Sequence, residues 1–88
     1  MDHTLDYLRE SLSNWIDKDE TAYRLYHKLE NNVFSSERDF ANTLNEEDIH
    51  HLSEMIKKEM RYADQEEDTI RLSQLNEVFE QLYWLKKN

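Results

Sequence analysis

Hydrophobic residues along this 88-residue chain recur at steps of three and four, which is the spacing of one face of an α-helix. The pattern does not alternate every second residue, as it would in a half-buried strand. The sequence therefore predicts an all-α fold, a small bundle of four to five helices that forms a single domain over residues 1–88.

The first predicted helix covers about residues 4–17. Thr4 or Asp2 would cap it by accepting a hydrogen bond from a backbone N–H group of the first turn. Charged residues at 17–20 then interrupt the apolar pattern. The apolar face of this helix comprises Leu5, Leu8, Leu12, Trp15 and Ile16.

The second predicted helix begins after Asp19, which can cap it, and ends at Asn31 and Asn32. Because the chain has no glycine, asparagine is the residue best able to adopt the left-handed conformation that terminates many helices. The apolar face of this helix comprises Ala22, Leu25, Tyr26, Leu29 and Val33.

Two further helix starts are visible in the middle of the chain. Ser36 precedes Glu37 and Asp39, and Asn45 precedes three acidic residues at 46–48. A capping side chain followed by acidic residues is typical of a helix N-terminus, where the helix dipole favours anions. The predicted buried faces are Phe40, Ala41 and Leu44 for the third helix, and Ile49, Leu52, Ile56, Met60 or the aliphatic stem of Glu59, and Ala63 for the fourth.

A polar run at residues 64–68 separates the fourth apolar stripe from the last one. With neither glycine nor proline present, the backbone could continue as a helix across this run. The pattern leaves two interpretations open, a separate last helix over about residues 69–86 or one long bent helix over 46–86. The last stripe comprises Leu72 or Leu75, then Val78, Phe79, Leu82 and Leu85.

The composition excludes several classes of enzyme. The chain has no cysteine, which excludes disulfides, thiolate zinc sites and thiol nucleophiles, and no glycine, which excludes phosphate-cradling loops and dinucleotide fingerprints. No apolar run approaches the roughly 20 residues that span a bilayer, and no signal-peptide pattern opens the chain. We expect a non-enzymatic cytoplasmic protein without a cofactor.

The charge balance disfavours polyanionic partners. Lys and Arg number 11 against 20 Asp and Glu, which gives a formal net charge of -9. Binding to nucleic acid or to an anionic membrane surface needs clustered cations. The expected partner is therefore another protein or a second copy of this chain in a homodimer, and neither nucleic acid nor a membrane.

One spacing is compatible with a metal site. Glu47 and His50 have the Glu-x-x-His spacing of carboxylate-bridged metal centres, and His51 and Glu54 lie nearby. Such a centre needs a second matching pair on another helix, which the sequence lacks. Surface ion pairs between His50 and acidic residues one turn away are the better interpretation, so no metal site is predicted and a metal-dependent enzyme is the least favoured hypothesis.

Aromatic and acidic residues near the C-terminus suggest a surface for a partner. The aromatic residues exceed what one narrow core needs, although packing at the rim of the core explains most of them. Bulky residues at 82–85 surround a helix and cannot all face one core. The acidic run is most simply a solvated helix junction, and alternatively a mimic of phosphates. The candidate partner surface comprises Tyr62, Asp64, Glu66, Glu67, Asp68, Tyr83 and Trp84.

Several segments resemble a known family. Met1-Asp2, Thr4-Leu5, YLRESLSN at residues 7–14, KEMRYA at 58–63 and LNEVFE at 75–80 are similar to the CsgA-type sporulation proteins of bacilli, while residues 15–57 agree mainly in pattern. The resemblance implies a sigma-G-dependent, forespore-expressed protein that is labelled a small acid-soluble spore protein, with the spore interior as its location. It carries over no catalytic or binding residues. The net charge of -9 argues against a DNA-coating role.

These observations support two hypotheses of function. The first is a non-enzymatic, acidic helical protein of sporulation that acts by protein–protein contact or as a minor spore constituent. The alternative is an inhibitor that mimics nucleic acid and occupies a basic partner protein.

Overall fold

The computed structural model describes the backbone of residues 3–87 and the side chains of residues 3–83. This part of the chain forms helices and no strand, which confirms the all-α prediction: α1 (His3–Ser13), α2 (Glu20–Glu30), α3 (Glu37–Ala41), α4 (Glu46–Gln65) and α5 (Thr69–Lys87). Helix α5 is central and packs against α4, α1 and α3, while α2 packs against α1 and α4.

The helix starts follow the predicted caps. The side chains of Asp19, Ser36 and Asn45 each accept a hydrogen bond from the backbone N–H group three residues later, at 3.1, 3.0 and 2.8 Å. Each cap satisfies a backbone donor that the helix itself leaves without a partner. Helix α1 begins before Thr4, so Thr4 is not its cap, and Asp2 lies outside the described residues.

The Asn45 cap leads to a testable expectation for the long helix α4. Replacing Asn45 with alanine removes the acceptor of the 2.8 Å bond and should lower the free energy of unfolding by about 1 kcal/mol. Asn45→Asp keeps an oxygen acceptor and should retain wild-type stability within about 0.5 kcal/mol. Urea unfolding followed by circular dichroism measures both, and equal stability of the alanine and aspartate variants would contradict the capping role.

The first helix ends four residues before its predicted end. The Ser13 hydroxyl donates to the carbonyl of Glu10 at 2.6 Å, and the backbone N–H group of Trp15 donates to the carbonyl of Leu12 at 3.0 Å. Bonds of this short span tighten the last turn, and residues 14–18 continue as turns rather than as helix. The prediction that the helix reaches residue 17 is wrong, although Trp15 still packs against the core.

The second helix ends where the sequence indicated, by a different geometry. Asn31 is the C-cap of α2, but its φ of -92° and ψ of 0° are right-handed rather than left-handed. The side-chain amide of Asn32 donates to the carbonyl of Lys28 at 2.8 Å and satisfies one of the last carbonyl groups of the helix. Within the described residues, only Glu67 has a positive φ.

The core consists mainly of the predicted apolar stripes; Met55 joins it from outside the predicted face of α4, and three residues at or near α3 depart from the prediction. Val33 is 99% exposed because it lies in the loop after α2, where helical periodicity no longer applies, and Leu44 is only half-buried. Glu37 is fully buried, since it lies three residues before Phe40 and shares its inward face. The largest fully buried apolar side chains are Phe40, Leu8, Leu12, Leu25, Leu52, Ile56, Leu75, Val78 and Leu82.

Helices α4 and α5 form an antiparallel hairpin rather than one bent helix. The chain reverses at Glu67, whose φ is 58°. The backbone N–H group of Glu67 donates to the carbonyl of Asp64 at 3.1 Å, and the backbone N–H group of Asp68 donates to the carbonyl of Ala63 at 2.9 Å. The side chain of Asp68 then caps α5 by accepting from the Arg71 N–H group at 3.0 Å. Reversal lets the two apolar stripes bury each other, which offsets the roughly 1–2 kcal/mol that a left-handed residue costs.

Candidate interaction surface

The turn of the α4–α5 hairpin combines exposed apolar and acidic side chains. Tyr62, in the last turn of α4, is 53% exposed, and Ile70, in the first turn of α5, is 73% exposed. The acidic residues between them are also exposed. We call this surface the hairpin end and define it by Tyr62, Asp64, Glu66, Glu67, Asp68 and Ile70.

The local fold directs these side chains outward. Ala63 is buried, whereas the adjacent Tyr62, about 100° further round the helix, is 53% exposed. The nearest cation of α5, Arg71, points to the other side, where its guanidinium lies 3.3 Å from Glu10 and donates to the Ser11 hydroxyl at 3.0 Å. Because Arg71 is engaged with α1, the cation left beside the four acidic residues of the hairpin end is Arg61, exposed on α4, so the local charge remains negative.

The two other predicted surface residues lie elsewhere. The Lys57 ammonium is 5.7 Å from the centre of the Phe79 ring, which places the middle of α4 beside the middle of α5. Tyr83, exposed and stacked on Phe79 at 6.3 Å, lies 13 residues beyond Ile70, about 20 Å along α5. The side chain of Trp84 lies outside the described residues. The structure therefore groups Tyr62 with the acidic run and separates Tyr83 from them.

Ile70 was not among the residues predicted for this surface. It falls outside the stripe of Leu75, Val78 and Leu82, and an apolar residue out of register with a buried stripe was the available signal. Core-rim packing, by contrast, is confirmed for the half-buried Tyr7 and Tyr26, which pack against the core.

A second polar site lies where the α1–α2 turn meets α4. Asp19 Oδ2 is 2.6 Å from His51 Nε2, and the Trp15 indole N–H donates to Glu59 Oε1 at 2.8 Å. The ammonium groups of two lysines lie over the Trp15 ring, 5.3 and 5.8 Å from its centre. A groove of about 150 Å³ is lined by Trp15, Asp19, His51, Glu54, Met55 and Lys58.

The Asp19 carboxylate is stabilised in its charged form. Partial burial acts to raise the pKa of Asp19, but hydrogen bonds from His51 and the Ala22 N–H group, together with the charge of His51, outweigh it and lower the pKa. One turn further along α2, Arg24 donates to Asp48 of α4 at 2.7 Å, and this hydrogen bond raises the pKa of Arg24. Charged links thus join α2 to α4.

The residues considered as metal ligands are distributed differently in the fold. Of these residues, His51 pairs with Asp19 across the α1–α2 turn. Among the described residues, no group of three or more His, Cys, Asp or Glu side chains is arranged to hold a metal ion. In that same part of the chain, no helix is both long and apolar enough to cross a membrane.

Comparisons with known proteins identify the family. The family model CsgA, described as "Minor curli fiber component A", matches residues 1–83. A Bacillus subtilis (strain 168) protein named "Sigma-G-dependent sporulation-specific SASP protein" is 39% identical over 82 residues, covering 93% of this chain and 99% of that protein. No solved structure matches. The protein belongs to the CsgA family, as the resemblance predicted, and is similar over nearly its full length to a sporulation-specific protein.

Proposed function

We propose that this protein is a non-enzymatic protein of the sporulating cell, located in the forespore or spore interior, that acts by binding a basic protein at the hairpin end. The relative's name supports the sporulation context, since that protein is called sporulation-specific. The observation that carries the binding role is the exposure of Tyr62 and Ile70 beside a run of acidic residues.

The apolar side chains supply the anchoring part of this surface. A tyrosine and an isoleucine more than half exposed near one helix reversal are candidates for burial in a partner, because large side chains at the centre of an interface contribute most of its binding energy. Ala63 and Leu75 are the buried residues of the helix ends that flank this turn, so Tyr62 and Ile70 remain available to a partner.

The acidic residues specify the charge of the partner. With a net charge of -9 and no cation of α5 facing the turn, the hairpin end attracts positively charged surfaces and repels acidic ones. A partner with a basic rim around an apolar recess would complement both features.

The proposal can be tested by capture from lysates of sporulating bacilli with matched variants as bait. Two variants change the surface: one neutralises acids as Asp64→Asn, Glu66→Gln and Glu67→Gln, and the other removes apolar anchors as Tyr62→Ser and Ile70→Ser. Asp68 is left intact because it caps α5. We expect each variant to reduce recovery of the wild-type partner at least about tenfold, the effect of losing 1.4 kcal/mol of binding energy.

A control variant keeps the net charge of the acid-neutralised bait while changing other exposed positions. It carries Glu20→Gln, Glu47→Gln and Glu77→Gln, on α2, α4 and α5. The control should recover the partner as the wild type does. Recovery lost equally in the control would show non-specific charge attraction, and recovery unchanged in both surface variants would refute a binding role for the hairpin end.

The exposed acids also support a second candidate, a mimic of nucleic acid that occupies a basic protein. Its binding would depend on charge alone, so the acid-neutralised bait would fail while the Tyr62 and Ile70 variant bound normally. Raising the salt concentration would also abolish binding, because contacts between exposed charges are screened. A complex that persists at high salt and needs Tyr62 would exclude this candidate.

The fibre in the family description receives no support from this fold. Fibres that grow by strand pairing need an exposed strand edge. Residues 3–87 contain no strand.

A further inference from the structure

The α1–α2 turn is fastened to α4 by an ion pair that includes a histidine. The carboxylate of Asp19, the N-cap of α2, lies 2.6 Å from Nε2 of His51 in the second turn of α4. The Asp19 side chain is only 18% exposed, whereas that of His51 is 44% exposed. The pair therefore joins a largely shielded anion, fixed by its capping bond to Ala22, to a ring that remains in contact with solvent.

Other charged groups surround this pair from both elements. The turn contributes Lys18, whose ammonium lies over the Trp15 ring, and α4 contributes Glu54, Lys58 and Glu59 beside the groove. Within α4 itself, Glu47 precedes His51 by one turn. The neighbouring lysines and glutamates carry opposite charges, so their effects on His51 partly cancel. Asp19 is the charged group in direct contact with the ring, and its attraction to the ring depends on whether the ring is protonated.

We propose that Asp19 and His51 form a pH-dependent clasp that holds the α1–α2 turn against α4 when the imidazole is protonated and loosens when it is neutral. A neutral imidazole keeps one hydrogen bond to the carboxylate at most, whereas the imidazolium adds a charge attraction. Histidine is the side chain whose unperturbed charge change falls between about pH 5 and 8.

The direction of the pH effect follows from both partners. The lowered pKa of Asp19 means that its contribution to stability is present above its unfolded-state value and is lost only when the pH falls through the lower, folded-state value. Asp19 is thus charged throughout the neutral range. The charge attraction needs a protonated imidazole, so the link is expected to be weaker at alkaline than at mildly acidic pH.

The clasp also controls the groove beside it. Asp19 and His51 form part of the wall, with Trp15 and Met55 adjacent. Loosening the pair frees the turn to move, while the buried Leu25 continues to hold α2 in the core. The expected change is therefore local, and it alters the surroundings of the half-buried Trp15 rather than unfolding the domain.

A double-mutant cycle with Asp19→Asn and His51→Gln tests the clasp. Asparagine caps helices as well as aspartate does, so Asp19→Asn removes the charge and keeps the cap. We expect the cycle to give a coupling between Asp19 and His51 that changes the unfolding equilibrium constant by about twofold to fivefold near pH 5.5. Near pH 8.5 the same factor should be close to one. Urea unfolding of the four proteins at both pH values measures this coupling.

The Arg24–Asp48 pair gives a matched control, since it joins the same two helices at 2.7 Å without a histidine. Its cycle, Arg24→Gln with Asp48→Asn, should give the same coupling at both pH values.

A fluorescence measurement tests the local movement. In a Trp84→Phe background, the fluorescence of Trp15 should change between these pH values when Asp19 is present and stay constant when Asp19→Asn is added. Equal coupling of Asp19 and His51 at both pH values, or a fluorescence change that survives Asp19→Asn, would overturn the clasp.

Discussion

Phe40→Ala is expected to lower the free energy of unfolding by about 3–5 kcal/mol, which is the usual cost of truncating a buried phenylalanine. Phe40 is fully buried and meets Phe34 edge-to-face, with ring centres 5.1 Å apart. Helix α3 has only five residues, so it depends on this side chain for its attachment to the bundle. Small domains have about 5–15 kcal/mol of stability in total, and the variant should lose much of its cooperative transition.

Val33→Ala provides the control for this prediction. Val33 was expected on the apolar face of α2, yet it is 99% exposed, so its truncation should change stability by less than about 0.5 kcal/mol. Urea unfolding followed by circular dichroism measures both variants. A loss below about 1 kcal/mol for Phe40→Ala would show that α3 does not contribute to the core as described.

Glu67→Pro should be the second most damaging change, with a loss of about 3 kcal/mol or more. Proline holds φ near -65°, whereas the backbone at Glu67 has φ of 58°. The substitution also removes the N–H group that donates to Asp64 at 3.1 Å. The chain could then not reverse between α4 and α5 without breaking the turn.

Glu67→Gly separates the hairpin from a continuous helix by the sign of its effect. Glycine adopts positive φ without steric cost, so in the hairpin it should raise the free energy of unfolding by about 1 kcal/mol. In a continuous helix the same change would lower it by about 1 kcal/mol. Glu66→Gly is the control, because Glu66 has φ of -86° and should gain nothing from glycine. Thermal and urea unfolding measure both variants, and destabilisation by Glu67→Gly would contradict the reversal.

The parts of the fold that were predictable from sequence are those governed by neighbours along the chain. The caps Asp19, Ser36 and Asn45 act within three residues, and the stripes of α4 and α5 follow helical spacing, so local patterns contained both. The end of α1 was not predictable in this way, because Trp15 continues the apolar spacing although the backbone has already turned. Apolar spacing of three and four residues therefore occurs both in a helix and in the turn that follows it.

The candidate surface shows the same division. Composition indicated an acidic run and surplus aromatic residues, and Tyr62 and the acids at 64–68 do lie together. Their grouping with Ile70, and the distance to Tyr83, depend on the antiparallel packing of α4 and α5. That packing relates residues far apart in sequence, and helical periodicity carries no information about which faces meet.

Sequence alone was enough to predict an acidic, all-α chain, the starts of α2, α3 and α4, and most of the residues in the core. That Glu67 reverses the chain, that Glu37 is buried and that Asp19 meets His51 became visible only in the folded chain. The two groups of features differ in the range of the interactions that produce them. Capping and helical spacing act over three or four residues, whereas the reversal and the ion pair are stabilised by burial and contact between segments up to 32 residues apart.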